Sequence, residues 1–190
     1  MTRPNRGRPI LLLGVVVAIG GLALAYNNFY KSKLSQSSGT DSQTAHSKSP
    51  VVNKPRPAFV LRDLKGIPRT VEAWDGKVLV LNFWATWCQP CRREIPALMD
   101  LQKKYGGRGL QIIGIAIDDR EDVEKFVSEF GVNYPILAGK DDAMETATEY
   151  GNGIGVLPYS VVVGRTGYVQ ETYFGELSMS ALIQKFVPLL

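Results

Sequence analysis

Val78-Leu79-Val80-Leu81-Asn82-Phe83-Trp84 runs directly into Ala85-Thr86-Trp87-Cys88-Gln89-Pro90-Cys91, and this junction decides the fold. The first seven residues are nearly all apolar, the pattern of a central strand covered on both faces. Beyond the cysteines the period changes: Ile95, Leu98, Met99, Leu101 and Tyr105 form a helical stripe that ends at Gly106-Gly107. A buried strand that feeds a helix through Cys-x-x-Cys sets one thiol at a helix N-terminus, where unpaired N–H groups and the dipole favour thiolate. Cys88, at the exposed start, would attack; Cys91, one turn inward, would resolve. Pro90 suits an early helical position, where a missing N–H costs little.

Outward from this junction, strands and helices alternate. Leu110–Ile117 reads as a second buried strand, and Asp122–Phe130 and Ala143–Tyr150 read as helices with a short strand around Ile136-Leu137 between them. Ser160–Val163 and Tyr168–Tyr173 flank Gly164–Gly167 as a hairpin. Ser178 can cap a last helix through Leu182, Ile183, Phe186 and Val187. Upstream, Ala58–Leu61 and Arg69–Val71 are short strands around a Lys65-Gly66 turn. The fold class is α/β.

Composition narrows the chemistry. Two cysteines and one histidine, His46 in a Ser-rich stretch, leave too few ligands for a four-coordinate zinc site and no Cys-His or Ser-His pair in the domain. The thiols therefore form a structural bridge or do redox chemistry together. A bridge closing so small a loop would stabilise little through chain entropy, which favours redox work. No cofactor and no metal is expected. Asp118-Asp119, at a strand end, is read as a helix cap, the alternative being part of a metal site.

The net charge of +4 suggests a nucleic-acid partner until it is divided along the chain. Residues 1–57 carry eight basic side chains against Asp41 alone, a net +7, while residues 58–190 carry fourteen against seventeen acids, a net −3. The folded part is mildly acidic, and no nucleic-acid surface is expected.

The positive charge belongs to a leader. Residues 10–26 form an apolar run of 17, at the lower limit for a transmembrane helix, preceded by Arg3, Arg6 and Arg8. The positive-inside rule keeps residues 1–9 cytoplasmic and exports everything after the span. Ala23-Leu24-Ala25 has the small-x-small spacing of a signal-peptidase site, but the run exceeds the usual apolar length of a cleaved signal, so a signal anchor is the reading taken. Residues 27–57, rich in Ser, Asn, Lys and Pro, read as a flexible linker to a domain at 58–190.

Asn82-Phe83-Trp84-Ala85-Thr86-Trp87-Cys88-Gln89-Pro90-Cys91 resembles the active-site segment of thioredoxin-like proteins, and Cys91-Arg92-Arg93-Glu94-Ile95-Pro96 resembles the membrane-anchored TlpA/ResA/CcmG-type thiol-disulfide oxidoreductases. The resemblance covers about residues 58–190. It implies a thioredoxin fold with extra N-terminal strands and an inserted helix-strand element, in a periplasmic or other extracytoplasmic setting. It also implies reductive work on protein disulfides, such as those of cytochrome c maturation or copper-oxidase assembly, with electrons from a transmembrane donor of the thioredoxin-reducing type. By the same resemblance Pro158 is a cis-proline facing the sulfurs and Leu157 pairs with substrate backbone. Trp87, beside Cys88, is either rim packing or a substrate contact.

Glu94 lies three residues after Cys91 on the same helical face. A carboxylate there either disfavours thiolate and relays a proton for Cys91, or is a solvated member of a charged turn with Arg92 and Arg93. Asn82 stands where thioredoxin itself carries a buried Asp, so proton transfer shifts to Glu94 or water. With no histidine between the cysteines to stabilise Cys88 as an anion, a reductase is favoured over an oxidant. A peroxidase on the same fold and a Cu(I)-binding assembly factor are the alternatives.

Overall fold

A computed structural model describes residues 49–190. The expected span at 10–26, the segment before it and residues 27–48 of the expected linker lie outside the described residues. No helix among the described residues is long and apolar enough to cross a membrane.

The elements follow in the order β1 (Val60–Arg62), β2 (Pro68–Thr70), β3 (Val78–Trp84), α1 (Gln89–Tyr105), β4 (Leu110–Ile117), α2 (Arg120–Phe130), β5 (Ile136–Gly139), α3 (Asp141–Glu149), β6 (Tyr159–Val163), β7 (Val169–Phe174) and α4 (Met179–Phe186). The main sheet has the order β5-β4-β3-β6-β7, with β3 parallel to β4 and antiparallel to β6. β1 and β2 form a separate antiparallel pair, the extra N-terminal strands; α2 and β5 are the inserted helix-strand element. Helices α2 and α3 start at Arg120 and Asp141, each two residues before the expected start. Acids in both first turns, Glu121 and Asp122 in one and Asp141 and Asp142 in the other, complement the helix dipole.

Period two on β3 divides the core. Val78, Val80 and Trp84 face a cluster with Cys91, Ile95, Leu98, Leu182 and Phe186, from α1 and α4. Leu79, Leu81 and Phe83 face a second cluster with Ala143, Ala147 and Tyr150. Asn82 falls on the Val80–Trp84 side of this alternation, under α1. Ser160, paired with Asn82 in the β3–β6 register, shares that face with Val162. Two polar side chains are thereby built into an apolar layer beneath the helix that carries the cysteines.

Upstream chain meets both sheet edges over part of their length. Asp63, just after β1, bridges Leu137 on β5. On the other side, the Asn53 N–H donates to the Val169 carbonyl at 2.8 Å, the Val169 N–H to Lys54 at 2.9 Å and the Arg56 N–H to Gly167 at 2.8 Å. Residues 51–57, part of the expected linker at 27–57, are thus seated on the domain. Their polar composition hid this because they dock through main-chain hydrogen bonds, with only Val51 and Val52 reaching the core. Covering edge N–H and C=O groups also protects a sheet from pairing with other chains.

Candidate active site

Cys88 is the N-cap of α1 and is joined to Cys91 by a disulfide, with the Cα atoms 5.3 Å apart. Its sulfur accepts a hydrogen bond from the Cys91 N–H at 3.3 Å. The sulfur therefore lies against the unsatisfied donors of the first turn, the environment that lowers a thiol's pKa. Cys91 is fully buried, while Cys88 retains slight exposure. Gln89 and Pro90 occupy the first two helical positions. Pro96 interrupts the same helix further along, and its ring nitrogen cannot donate to the Arg92 carbonyl.

Glu94 is buried, on the α1 stripe shared by Cys91, Ile95 and Leu98. It is not part of a solvated charged turn. Its Oε1 accepts from the Asn82 amide at 2.7 Å, and its Oε2 accepts from the Leu177 N–H at 2.9 Å. The Asn82 amide also donates to Ser160 Oγ at 3.0 Å. Burial pushes the Glu94 carboxyl up to about 7; the two N–H donors oppose that rise and the charge of Glu176 adds to it. A buried carboxyl balanced near neutrality can both accept and return a proton. Arg92 turns away from this group and lies over the rings of Phe126 and Phe130, while Arg93 pairs with Glu176 at 2.6 Å.

The antiparallel register that sets Phe83 opposite Tyr159 brings the end of β3 and the start of β6 to the same end of the sheet. Trp87, Cys88, Leu157 and Pro158 emerge there together. Trp87 is 67% exposed, an unusual state for an indole and one suited to contacting a partner. The Leu157-Pro158 peptide is cis. Leu157 is half-buried, and the Pro158 carbonyl accepts from the Gly175 N–H at 2.8 Å. Gly175 to Leu177 therefore touches the proline loop at one end and Glu94 at the other.

Asp118-Asp119 does not cap α2 with a side chain. Asp119 holds the N-cap position without a capping bond and pairs with Lys140 at 2.8 Å. Asp118 reaches instead to Thr86, in the loop before Cys88. Sequence reasoning missed three partners of the site, Ser160, Leu177 and Asp118. For Ser160 a signal existed, because strand period and hairpin geometry put it on the face of Asn82. For Leu177, whose contribution is a main-chain N–H, none did.

Residues 52–172 match the AhpC/TSA family. Over 178 residues the chain is 30% identical to the thiol-disulfide oxidoreductase ResA of Geobacillus thermodenitrificans, covering 93% of this chain and 91% of that one. It is 33% identical over 141 residues to the ResA of Bacillus anthracis, covering 72% and 79%. Among solved structures, a thiol:disulfide interchange protein of the thioredoxin family from Chlorobium tepidum superposes with a TM-score of 0.65 at 29% identity, covering 71% of this chain and 94% of that one. A dithiol-disulfide pair at a helix N-terminus, with the leading cysteine the more accessible of the two, acts on the thiols and disulfides of other proteins. The chain belongs to the AhpC/TSA family and is a thiol-disulfide oxidoreductase of the TlpA/ResA/CcmG type.

Proposed function

We propose that the protein is a reductase of substrate disulfides in an extracytoplasmic space, tethered to the cytoplasmic membrane by a single anchor at residues 10–26 with residues 1–9 inside. The observation that carries the reductive direction is the buried Glu94 carboxyl on the same helical stripe as Cys91. A negative charge there works against a thiolate, and a destabilised reduced pair gives up its electrons more readily; strong oxidants owe their power to a stabilised reduced form. Arg3, Arg6 and Arg8 ahead of the apolar run support the anchor and its orientation.

In the reaction, the Cys88 thiolate attacks one sulfur of a substrate disulfide, which breaks while a mixed disulfide forms. The departing substrate sulfur leaves as a thiolate and takes up a proton. Glu94 accepts the Cys91 proton, and the Cys91 thiolate attacks Cys88 Sγ. This closes the Cys88–Cys91 disulfide and expels the second substrate thiolate. Two electrons pass to the substrate. Trp87, Leu157 and Pro158, at the same sheet end as Cys88, hold the substrate segment. Each turnover leaves the protein oxidised, so a transmembrane donor of the thioredoxin-reducing type restores the dithiol. Proteins of cytochrome c maturation and copper-oxidase assembly sites are the clients this reading favours.

The test is the reduction potential of the full-length protein in defined thiol buffers, with the C88S/C91S variant as control. A value near −270 mV, the potential of thioredoxin, is expected. A value near −120 mV would make the protein an oxidant and overturn the direction.

A further inference from the structure

The active-site loop is pinned from outside the catalytic helix. Asp118 Oδ2, at the end of β4, accepts from the Thr86 N–H at 2.9 Å and from Thr86 Oγ1 at 2.6 Å. Thr86 is two residues before Cys88. Asp118 is itself held: its own N–H donates to the Gly139 carbonyl at 3.0 Å, and its Oδ1 accepts from the Asp119 N–H at 2.9 Å. The strand supplying this carboxylate pairs directly with β3 in parallel register, with Trp84 opposite Ala116, so its anchor point is rigid. A carboxylate that takes both the N–H and the hydroxyl of one residue fixes its backbone and its side chain at once. Asp118, Asp119 and Asp122 lie close enough to suggest a cation site. The inner oxygen of Asp118 is committed to Thr86 and a carboxylate oxygen of Asp119 to Lys140, which accounts for these groups without an ion.

We propose that Asp118 and Thr86 form a positioning clasp for the attacking thiol, fixing the loop Ala85–Trp87 so that Cys88 presents its sulfur at a set angle. Neither residue touches the reacting atoms. The clasp acts through Cys88, and it rests on the assignment of Cys88 as the attacking cysteine. Geometry of this kind matters because misplacement of a reacting atom by about 1 Å can cost on the order of 100-fold in rate.

The experiment uses the full-length protein in the C91S background, where Cys88 is the sole thiol, with T86S, T86V, D118N and D118A added singly. The Cys88 thiolate is titrated by its ultraviolet absorbance. The rate of mixed-disulfide formation with oxidised glutathione is then measured and divided by the thiolate fraction, so that it reports geometry alone. T86S should stay within twofold of the parent, because the hydroxyl is restored. T86V and D118A should lose at least fivefold in normalised rate. D118N should lose less rate than D118A, since its amide oxygen still accepts from Thr86. Unchanged normalised rates in T86V and D118A would overturn the clasp while leaving Cys88 as nucleophile. An inert C91S protein beside a reactive C88S protein would overturn the assignment of Cys88 and the clasp with it.

Discussion

The chemistry of single residues turns on Glu94. Its carboxyl is raised from the ordinary 4.5 to about 7, first by burial. In the unfolded chain the group ionises near its ordinary value, so between the two values the folded protein holds a proton that the unfolded chain has released. The contribution to stability is fully present below about pH 4.5 and is lost as pH rises through about 7, an effect of order 3 kcal/mol. Chemical denaturation of the oxidised protein across this window should show wild type losing stability relative to E94Q as pH rises; parallel curves would refute it. Asn82 adds a second expectation. Its amide donates to the carboxylate, so N82A removes a bond that favours the ionised form, and the Glu94 midpoint should climb above 7. Carbon-detected NMR titration of the glutamates reads this directly. Both residues stand in legible positions in the sequence: Asn82 between Leu81 and Phe83 in a period-two strand, and Glu94 at the i+3 step from Cys91 within the stripe Ile95–Leu98. What the sequence left open was whether Glu94 is solvated, because that depends on α4 and the loop before it closing over the helix, a contact 83 residues away in the chain.

Among the elements, the connection from β7 to α4 carries the most consequence. Three neighbouring residues tie it down: Gly175 to the Pro158 carbonyl, Glu176 to Arg93, and Leu177 to Glu94. These ties differ in weight. The Arg93–Glu176 pair is solvent-exposed, and surface pairs contribute about 0–1 kcal/mol, less in salt. Ser178, the N-cap of α4, accepts from the Ala181 N–H at 3.3 Å, and loss of such a cap costs about 1 kcal/mol. S178A should therefore lower the denaturation midpoint more than E176A does, and the difference should widen at high salt; equal effects would show that the ion pair anchors the loop. The cap was legible because Ser before an apolar-periodic run is a local signal. The buried strands were legible: β3 and β4 declared themselves by continuous apolar runs. The docking of Asp63 onto β5 did not, since an isolated bridge between a hairpin and a sheet edge leaves no periodic trace.

At the scale of the molecule, the segment leading into the domain is part of its stability. Tyr150 is fully buried, and its hydroxyl donates to the Pro57 carbonyl at 2.6 Å. Burial holds that phenol well above its ordinary value, so it stays a neutral donor at any physiological pH. Arg56, itself paired with Asp75, donates its N–H to Gly167, and Asn53 and Lys54 complete two main-chain bonds with Val169. A chain beginning at residue 58 would expose the β7 edge and strand the Tyr150 hydroxyl without its acceptor. Leaving a buried polar group unpaired costs about 1–3 kcal/mol, and each lost main-chain bond about 1 kcal/mol, partly offset by the backbone entropy of the freed residues. The net expectation is that a form starting at residue 49 is more stable than one starting at residue 58 by about 2 kcal/mol. Denaturant unfolding of the two, at equal slope, measures it directly. Equal midpoints would mean that these contacts only just offset the cost of ordering the segment. A clear difference would mean that any tether ahead of residue 49 pulls on a segment whose release bares the outer edge of β7 near Val169, the strand whose far end leads to the loop that closes over Glu94.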